Sequence, residues 1–240
     1  MKYLTKKWYE SLQKIDMNLL IEIAKEAETF SEEYYKKVYQ EEERKWIELQ
    51  NTIKSINSKD VNKDKESFKN IQEQIIKKLE NNVPDYILKK VADIRVLALG
   101  KASSIVKKEL DKYCKKQKVI VEKAMKEYKR YNNNNLRKYE NTFIKDFDFH
   151  DCKIKSCEKQ EKDLIITLDT TNNCLVDIKQ IIFKNYDIIK EEDNICQSVW
   201  LYNEVYIKDN GYEIHILLEN IKGKLIDFIV GTDDVIYMKE

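Results

Sequence analysis

Val199-Trp-Leu-Tyr-Asn-Glu-Val-Tyr-Ile-Lys-Asp-Asn-Gly-Tyr-Glu-Ile-His-Ile-Leu-Leu218 is the stretch on which the fold turns. Two runs of alternating side chains flank Asn210-Gly211, a strong hairpin signal, because a type I′ turn needs positive φ at both central residues. With those two residues at the turn, Lys208 faces Glu213, Ile207 faces Ile214, Tyr206 faces His215, Val205 faces Ile216 and Glu204 faces Leu217. Alternation then sorts the hairpin into two faces. Leu201, Val205, Ile207, Ile214, Ile216 and Leu218 form a core face on which Asn203 is the one polar residue. The opposite face carries Trp200, Tyr202, Glu204, Tyr206, Glu213, His215 and Leu217, a mixture of aromatic and polar groups suited to recognition or to a covering helix.

Outward from the hairpin, residues 148–240 read as strands near 148–158, 163–169, 175–186, 199–208, 211–219 and 224–230, with a further short segment at 235–238. Short connections at 159–162 and 220–223 imply antiparallel neighbours.

The preceding chain reads as helix. Thr5 is placed to cap a short helix carrying Trp8, Tyr9 and Leu12. Thr29-Phe-Ser-Glu32 has capping-box spacing at the start of a long helix whose stripe runs through Tyr35, Val38, Tyr39 and Trp46. A polar loop is expected at 55–66, with helix resuming near Asp64 or Glu66. Pro84 opens a helical spine to Tyr131, along which Gly100, Ala102 and Ser104 allow a close crossing or a break. Asn132–Asn135 closes the pattern as a helix end or hinge, with a short helix or linker at 136–145. The fold class expected is α+β: a helical domain at 1–145, then an antiparallel β domain at 146–240, built as a meander or a partly closed barrel.

Composition narrows the function classes. Charged residues make up 36% and hydrophobic residues 42% of the chain, which excludes wholesale disorder. No run reaches the roughly 18 apolar residues of a membrane span. Lys2, Lys6 and Lys7 are followed only by the short apolar run 19–24, which Glu22 interrupts, so no secretory signal is expected. The cysteines are Cys114, Cys152, Cys157, Cys174 and Cys196, an odd and widely spaced set without a CxxC. Reduced thiols and a cytoplasmic protein are expected. Charge is segregated: residues 1–150 carry 33 basic and 25 acidic side chains, residues 151–240 carry 11 and 18.

Several stretches carry a resemblance: Met1-Lys-Tyr-Leu-Thr-Lys-Lys-Trp-Tyr9, Ala27-Glu-Thr-Phe-Ser-Glu-Glu-Tyr34, Val91-Ala-Asp-Ile-Arg-Val96, Phe149-His-Asp-Cys152 and Trp200-Leu-Tyr-Asn-Glu-Val-Tyr206. Together they resemble a family of bacterial proteins known only as a domain of unknown function. The chain departs from that pattern at 55–68, which is shorter than the family's acidic region. The resemblance implies a bacterial cytoplasmic protein of two parts and implies no activity.

Three functional readings follow from the residues. The first is a non-catalytic protein-interaction or regulatory module in the β domain, binding a protein partner through Trp200, Tyr202, Glu204, Tyr206 and His215. The second is a metal-dependent enzyme using His150, Asp151 and His215, with Cys152 and Glu204 as further candidate ligands. The third is nucleic-acid binding through the basic segment 101–130. Its aromatics, Tyr113 and Tyr128, lie on the apolar stripe, and the chain has only four arginines, which weakens base reading. No GxGxxG, P-loop, GxSxG or HExxH occurs, and a Cys152–His215 nucleophile lacks an oxyanion-hole motif. No cofactor and no membrane partner are expected.

Overall fold

A computed structural model describes residues 1–53, 61–136, 142–145, 147–171, 173 and 177–239. Helices are α1 (Lys6–Leu12), α2 (Glu32–Ile53), α3 (Val61–Asn82), α4 (Asp85–Leu88), α5 (Ile94–Ala98), α6 (Ser104–Tyr131) and α7 (Thr142–Lys145). Strands are β1 (Glu22–Ile23), β2 (Lys101–Ala102), β3 (Lys153–Gln160), β4 (Asp163–Asp169), β5 (Ile178–Lys184), β6 (Asp187–Glu191), β7 (Val199–Lys208), β8 (Gly211–Glu219), β9 (Leu225–Thr232) and β10 (Asp234–Lys239). The class is α+β. Two compact units divide the chain, residues 12–119 and residues 1–11 with 120–240.

In the unit of residues 12–119, helix starts follow local chemistry. Ser31, rather than the expected Thr29, accepts the Tyr34 N–H at 3.1 Å and caps α2, because α2 begins one residue after it. α3 starts at Val61, earlier than expected; residues 55–60 of the expected loop lie outside the described residues. The expected spine from Pro84 to Tyr131 is broken. Gly100 adopts φ +78°, and a Cβ there would lie 2.8 Å from the Leu20 carbonyl oxygen. Only glycine fits, and the chain turns there to pair β2 with β1 in parallel. Asp93 caps α5 through the Arg95 N–H at 2.9 Å. The Arg95 guanidinium pairs with Asp93 and Glu32, both at 2.7 Å, and sits 4.1 Å from the Tyr35 ring centroid. Burial pushes the Asp93 carboxyl up, and the Arg95 hydrogen bonds outweigh it, leaving its pKa below the usual range.

The other unit is dominated by an antiparallel sheet in the order β10-β5-β4-β3-β7-β8-β9-β6. It has two edges, β10 and β6, and is not closed into a barrel. β3 and β7 share one ladder pair, Lys153 opposite Val199, so two four-strand ladders meet at one narrow seam. Each ladder turns one face to a common core that includes Phe149, Ile154, Ile166, Ile181, Trp200, Ile214, Ile216 and Phe228. Strand β6 was not expected from the sequence. Residues 137–141, part of the expected 136–145 helix or linker, residues 175–176 of the expected third strand, and Cys174 lie outside the described residues.

The hairpin's register differs from expectation. Lys208 pairs with Gly211, Tyr206 with Glu213, Val205 with Ile214 and Glu204 with His215. The turn is Asp209-Asn210. Positive φ falls on Gly211, at +117°, and on neither of them. This is the type I turn with a following glycine bulge, not a type I′ turn. Glycine is required again by contact, since a Cβ at 211 would lie 2.3 Å from the Thr232 carbonyl oxygen. The shift is by two residues, so side chains keep their faces as far as Tyr202. Between Tyr202 and Trp200 the register slips by one. That bulge at Leu201 turns Trp200 into the core, against Phe147 and Phe149 at centroid distances of 5.7 and 5.3 Å.

Candidate functional site

The mixed face of the hairpin is covered by the chain's own N-terminal segment. At its centre Glu204 is fully buried. One carboxylate oxygen accepts the main-chain N–H of Tyr3 at 2.8 Å and that of Leu4. The other accepts the Lys2 N–H at 2.7 Å and the Tyr206 hydroxyl. A buried carboxylate is tolerated only when its lone pairs are filled, and here both oxygens have two donors. Burial, then the hydrogen bond to Glu204, pushes the Tyr206 hydroxyl well above its ordinary pKa. It therefore stays protonated and able to donate.

Aromatic side chains frame the carboxylate. Tyr3 packs on Tyr128 and Tyr131 at 5.7 and 6.2 Å, and Tyr131 on Tyr206 at 5.4 Å. The Tyr128 hydroxyl donates to the Asn203 carbonyl at 3.3 Å, and burial pushes its pKa up to about 12. One helical turn further along the N-terminal segment, Thr5 caps α1 through the Trp8 N–H at 3.2 Å, as its sequence position suggests. The Trp8 indole is edge-on to Tyr202 at 4.8 Å and donates to the Val121 carbonyl at 3.3 Å. Lys6 pairs with Glu192, which also meets Lys190 at 2.8 Å. Burial works against the Glu192 charge, but hydrogen bonds from Lys190 and Lys6 hold its pKa down at about 2.

The residues expected to bind a partner are thus partly dispersed. Tyr202, Glu204 and Tyr206 share this site. Trp200 belongs to the core, where its indole N–H donates to Asn203 Oδ1 at 3.1 Å and the Asn203 amide donates to the Phe147 carbonyl at 2.9 Å. Those two bonds satisfy the one polar residue of the core face. His215 packs edge-on against Tyr206 at 4.9 Å, and its Nε2 meets Glu213 Oε1 at 2.6 Å. Its Nδ1 is buried and lacks a partner among the described residues.

His150, Asp151 and Cys152 form the turn into β3. The His150 ring leans on Tyr202 at 4.8 Å, with Nδ1 against the Leu201 carbonyl. Asp151 takes φ +64° and exposes its side chain, with Oδ1 3.7 Å from His150 Nε2. Cys152 points into the core, and burial pushes its thiol up to about 11. Among the described residues no group of three or more His, Cys, Asp or Glu side chains is placed to hold a metal ion. In the basic segment the α6 lysines from Lys108 to Lys129 are exposed, and Tyr128 is half-buried on the apolar flank. Among the described residues no helix is long and apolar enough to cross a membrane.

Sequence reasoning singled out Glu204 but missed its partners. Three are main-chain N–H groups, which carry no side-chain identity, and they lie 200 to 202 residues away. The one available signal was Thr5 with Trp8, which placed α1 correctly without saying where it docks.

No match emerges among curated proteins or among solved structures. A family pattern described as a protein of unknown function (DUF4085) matches residues 29–225, a span that includes Glu204 and Tyr206 and leaves out Lys2 to Trp8. The chain belongs to that family, the protein of unknown function DUF4085.

Proposed function

We propose that the protein is a non-catalytic, cytoplasmic protein-interaction module whose β unit holds a short main-chain segment, supplied here by its own residues 2–8. The observation that carries this reading is Glu204. Its carboxylate is filled mainly by consecutive backbone N–H groups, chemistry that recognises a peptide strand by its main chain and leaves side chains to set specificity. Aromatic contacts at Tyr202 and Tyr131 and the acidic contact at Glu192 suit a segment that is aromatic and basic, as Lys2-Tyr-Leu-Thr-Lys-Lys-Trp8 is. The acidic balance of residues 151–240 favours the same partner. A partner segment of this composition would compete with the N-terminal segment for one site, so binding and release of that segment would be coupled. The cytoplasmic assignment draws on the free thiols of Cys114, Cys152, Cys157 and Cys196.

The test uses the full chain carrying Leu4→Asp and Trp8→Ala, which loosens the segment, and a labelled peptide with the sequence of residues 1–12. Saturable binding to this variant, weakened at least about tenfold by Glu204→Gln, is expected. A cooperatively folded variant that fails to bind the peptide would overturn the reading.

A further inference from the structure

We propose that Cys157 and Cys196 form an oxidation site, closing to an intramolecular disulfide on reaction with hydrogen peroxide. The two cysteines line one cavity of about 270 Å³ together with Leu164, Ile188, Glu191 and Phe228. Their proximity is imposed by the backbone. Cys157 lies on β3 opposite Ile166. Cys196 lies in the connection entering β7, where Gln197 takes φ +69°. That connection is bonded to the start of β3: the Gln197 N–H donates to the Ile154 carbonyl at 2.8 Å, and the Ile154 N–H to the Ser198 carbonyl at 2.9 Å. The Gln197 side chain adds a third bond, to the Lys155 carbonyl at 3.2 Å. Thiols that line one cavity from two pinned segments can be brought by side-chain rotation to the S–S distance of about 2.05 Å. Neither thiol is sealed off, whereas Cys114 and Cys152 are buried.

Burial, then the contact with Cys196, raises the Cys157 pKa well above that of a free thiol, so Cys157 waits as the protonated resolving partner. Cys196 Sγ, losing its proton, attacks one peroxide oxygen. The O–O bond breaks, and the departing hydroxide takes up that proton to leave as water. Cys196 is then a sulfenic acid. Cys157 Sγ attacks the Cys196 sulfur, the S–O bond breaks, and the Cys157 proton leaves with the hydroxyl as a second water. Two thiols are oxidised by two electrons in total, and one peroxide is reduced to two waters.

Full-length protein would be treated with graded hydrogen peroxide, alkylated, and digested without reduction. The expected result is a peptide pair linked through Cys157 and Cys196, two hydrogens lighter than its parts, dissolved by dithiothreitol and formed before Cys114 or Cys152 loses alkylation. In Cys157→Ser, Cys196 should stop at the sulfenic acid and be captured by dimedone. Oxidation of Cys196 in the unsubstituted chain without a link to Cys157, or a link from either to Cys174 in its place, would overturn the proposal. That measurement does not depend on the variant folding.

Discussion

The Glu204 carboxylate accepts the main-chain N–H of Tyr3 at 2.8 Å, joining residues 201 positions apart in the sequence. Around this contact the N-terminal segment and the β7–β8 hairpin become one structure. Removing the carboxylate strands the N–H groups of Lys2, Tyr3 and Leu4 and the Tyr206 hydroxyl together. We expect Glu204→Ala to cost about 3–5 kcal/mol, as for breaking a buried charged contact. Glu204→Gln should cost less, because its carbonyl still accepts while its amide group opposes N–H donors. Urea midpoints at unchanged m-value would measure both.

Trp200 separates a core hairpin residue from a surface one. On an exposed binding face, Trp200→Ala would leave stability nearly unchanged. Packed on Phe147 and Phe149 and bonded to Asn203, it should cost about 3–5 kcal/mol. Thermal unfolding of the variant checks this.

Stability should also depend on pH through Glu192. Its pKa is about 2 in the fold against an ordinary 4.5, so its contribution is complete above about 4.5 and is lost as the pH falls towards about 2. Replacing it by Gln should remove part of the acid sensitivity in that window and leave the pH dependence above it unchanged. Denaturation midpoints from pH 6 down to 2 would show the difference.

Gly211 tests the turn. Since φ is +117° and a side chain would collide with the Thr232 carbonyl, Gly211→Ala should destabilise by more than about 1 kcal/mol. A type I′ turn at Asn210-Gly211 would also resist alanine, but it would equally resist Asn210→Ala, which we expect to be mild. Chemical denaturation of the two variants side by side distinguishes the turns.

These cases also show what the sequence exposes. β4, β7 and β8 were legible to the residue, because each is an apolar run bounded by clear turn residues, and in β4 buried and open positions alternate throughout. β6 was not, because Asp187-Ile-Ile-Lys-Glu191 is an exposed edge strand with no buried face to impose alternation. At Gly100 the sequence allowed a close crossing or a break without deciding between them, because an apolar stripe continues across it. Trp200 was assigned to the wrong face because a one-residue bulge reverses every side chain beyond it, and nothing in Trp-Leu-Tyr marks which residue is extra. At the site, the shared face of Tyr202, Glu204 and Tyr206 was readable, and Tyr206 does touch His215 although the hairpin register is not the one expected. The donors that fill Glu204 were not, since any residue but proline offers the same N–H.

Hydrogen exchange at the amides of Lys2, Tyr3 and Leu4 in the full chain tests the hold of Glu204 on the N-terminal segment most directly. We expect these amides to be protected, and Glu204→Gln to speed their exchange at least about tenfold, roughly 1.4 kcal/mol in opening free energy. Exchange at the rate of an unstructured peptide in the unsubstituted chain would contradict that hold.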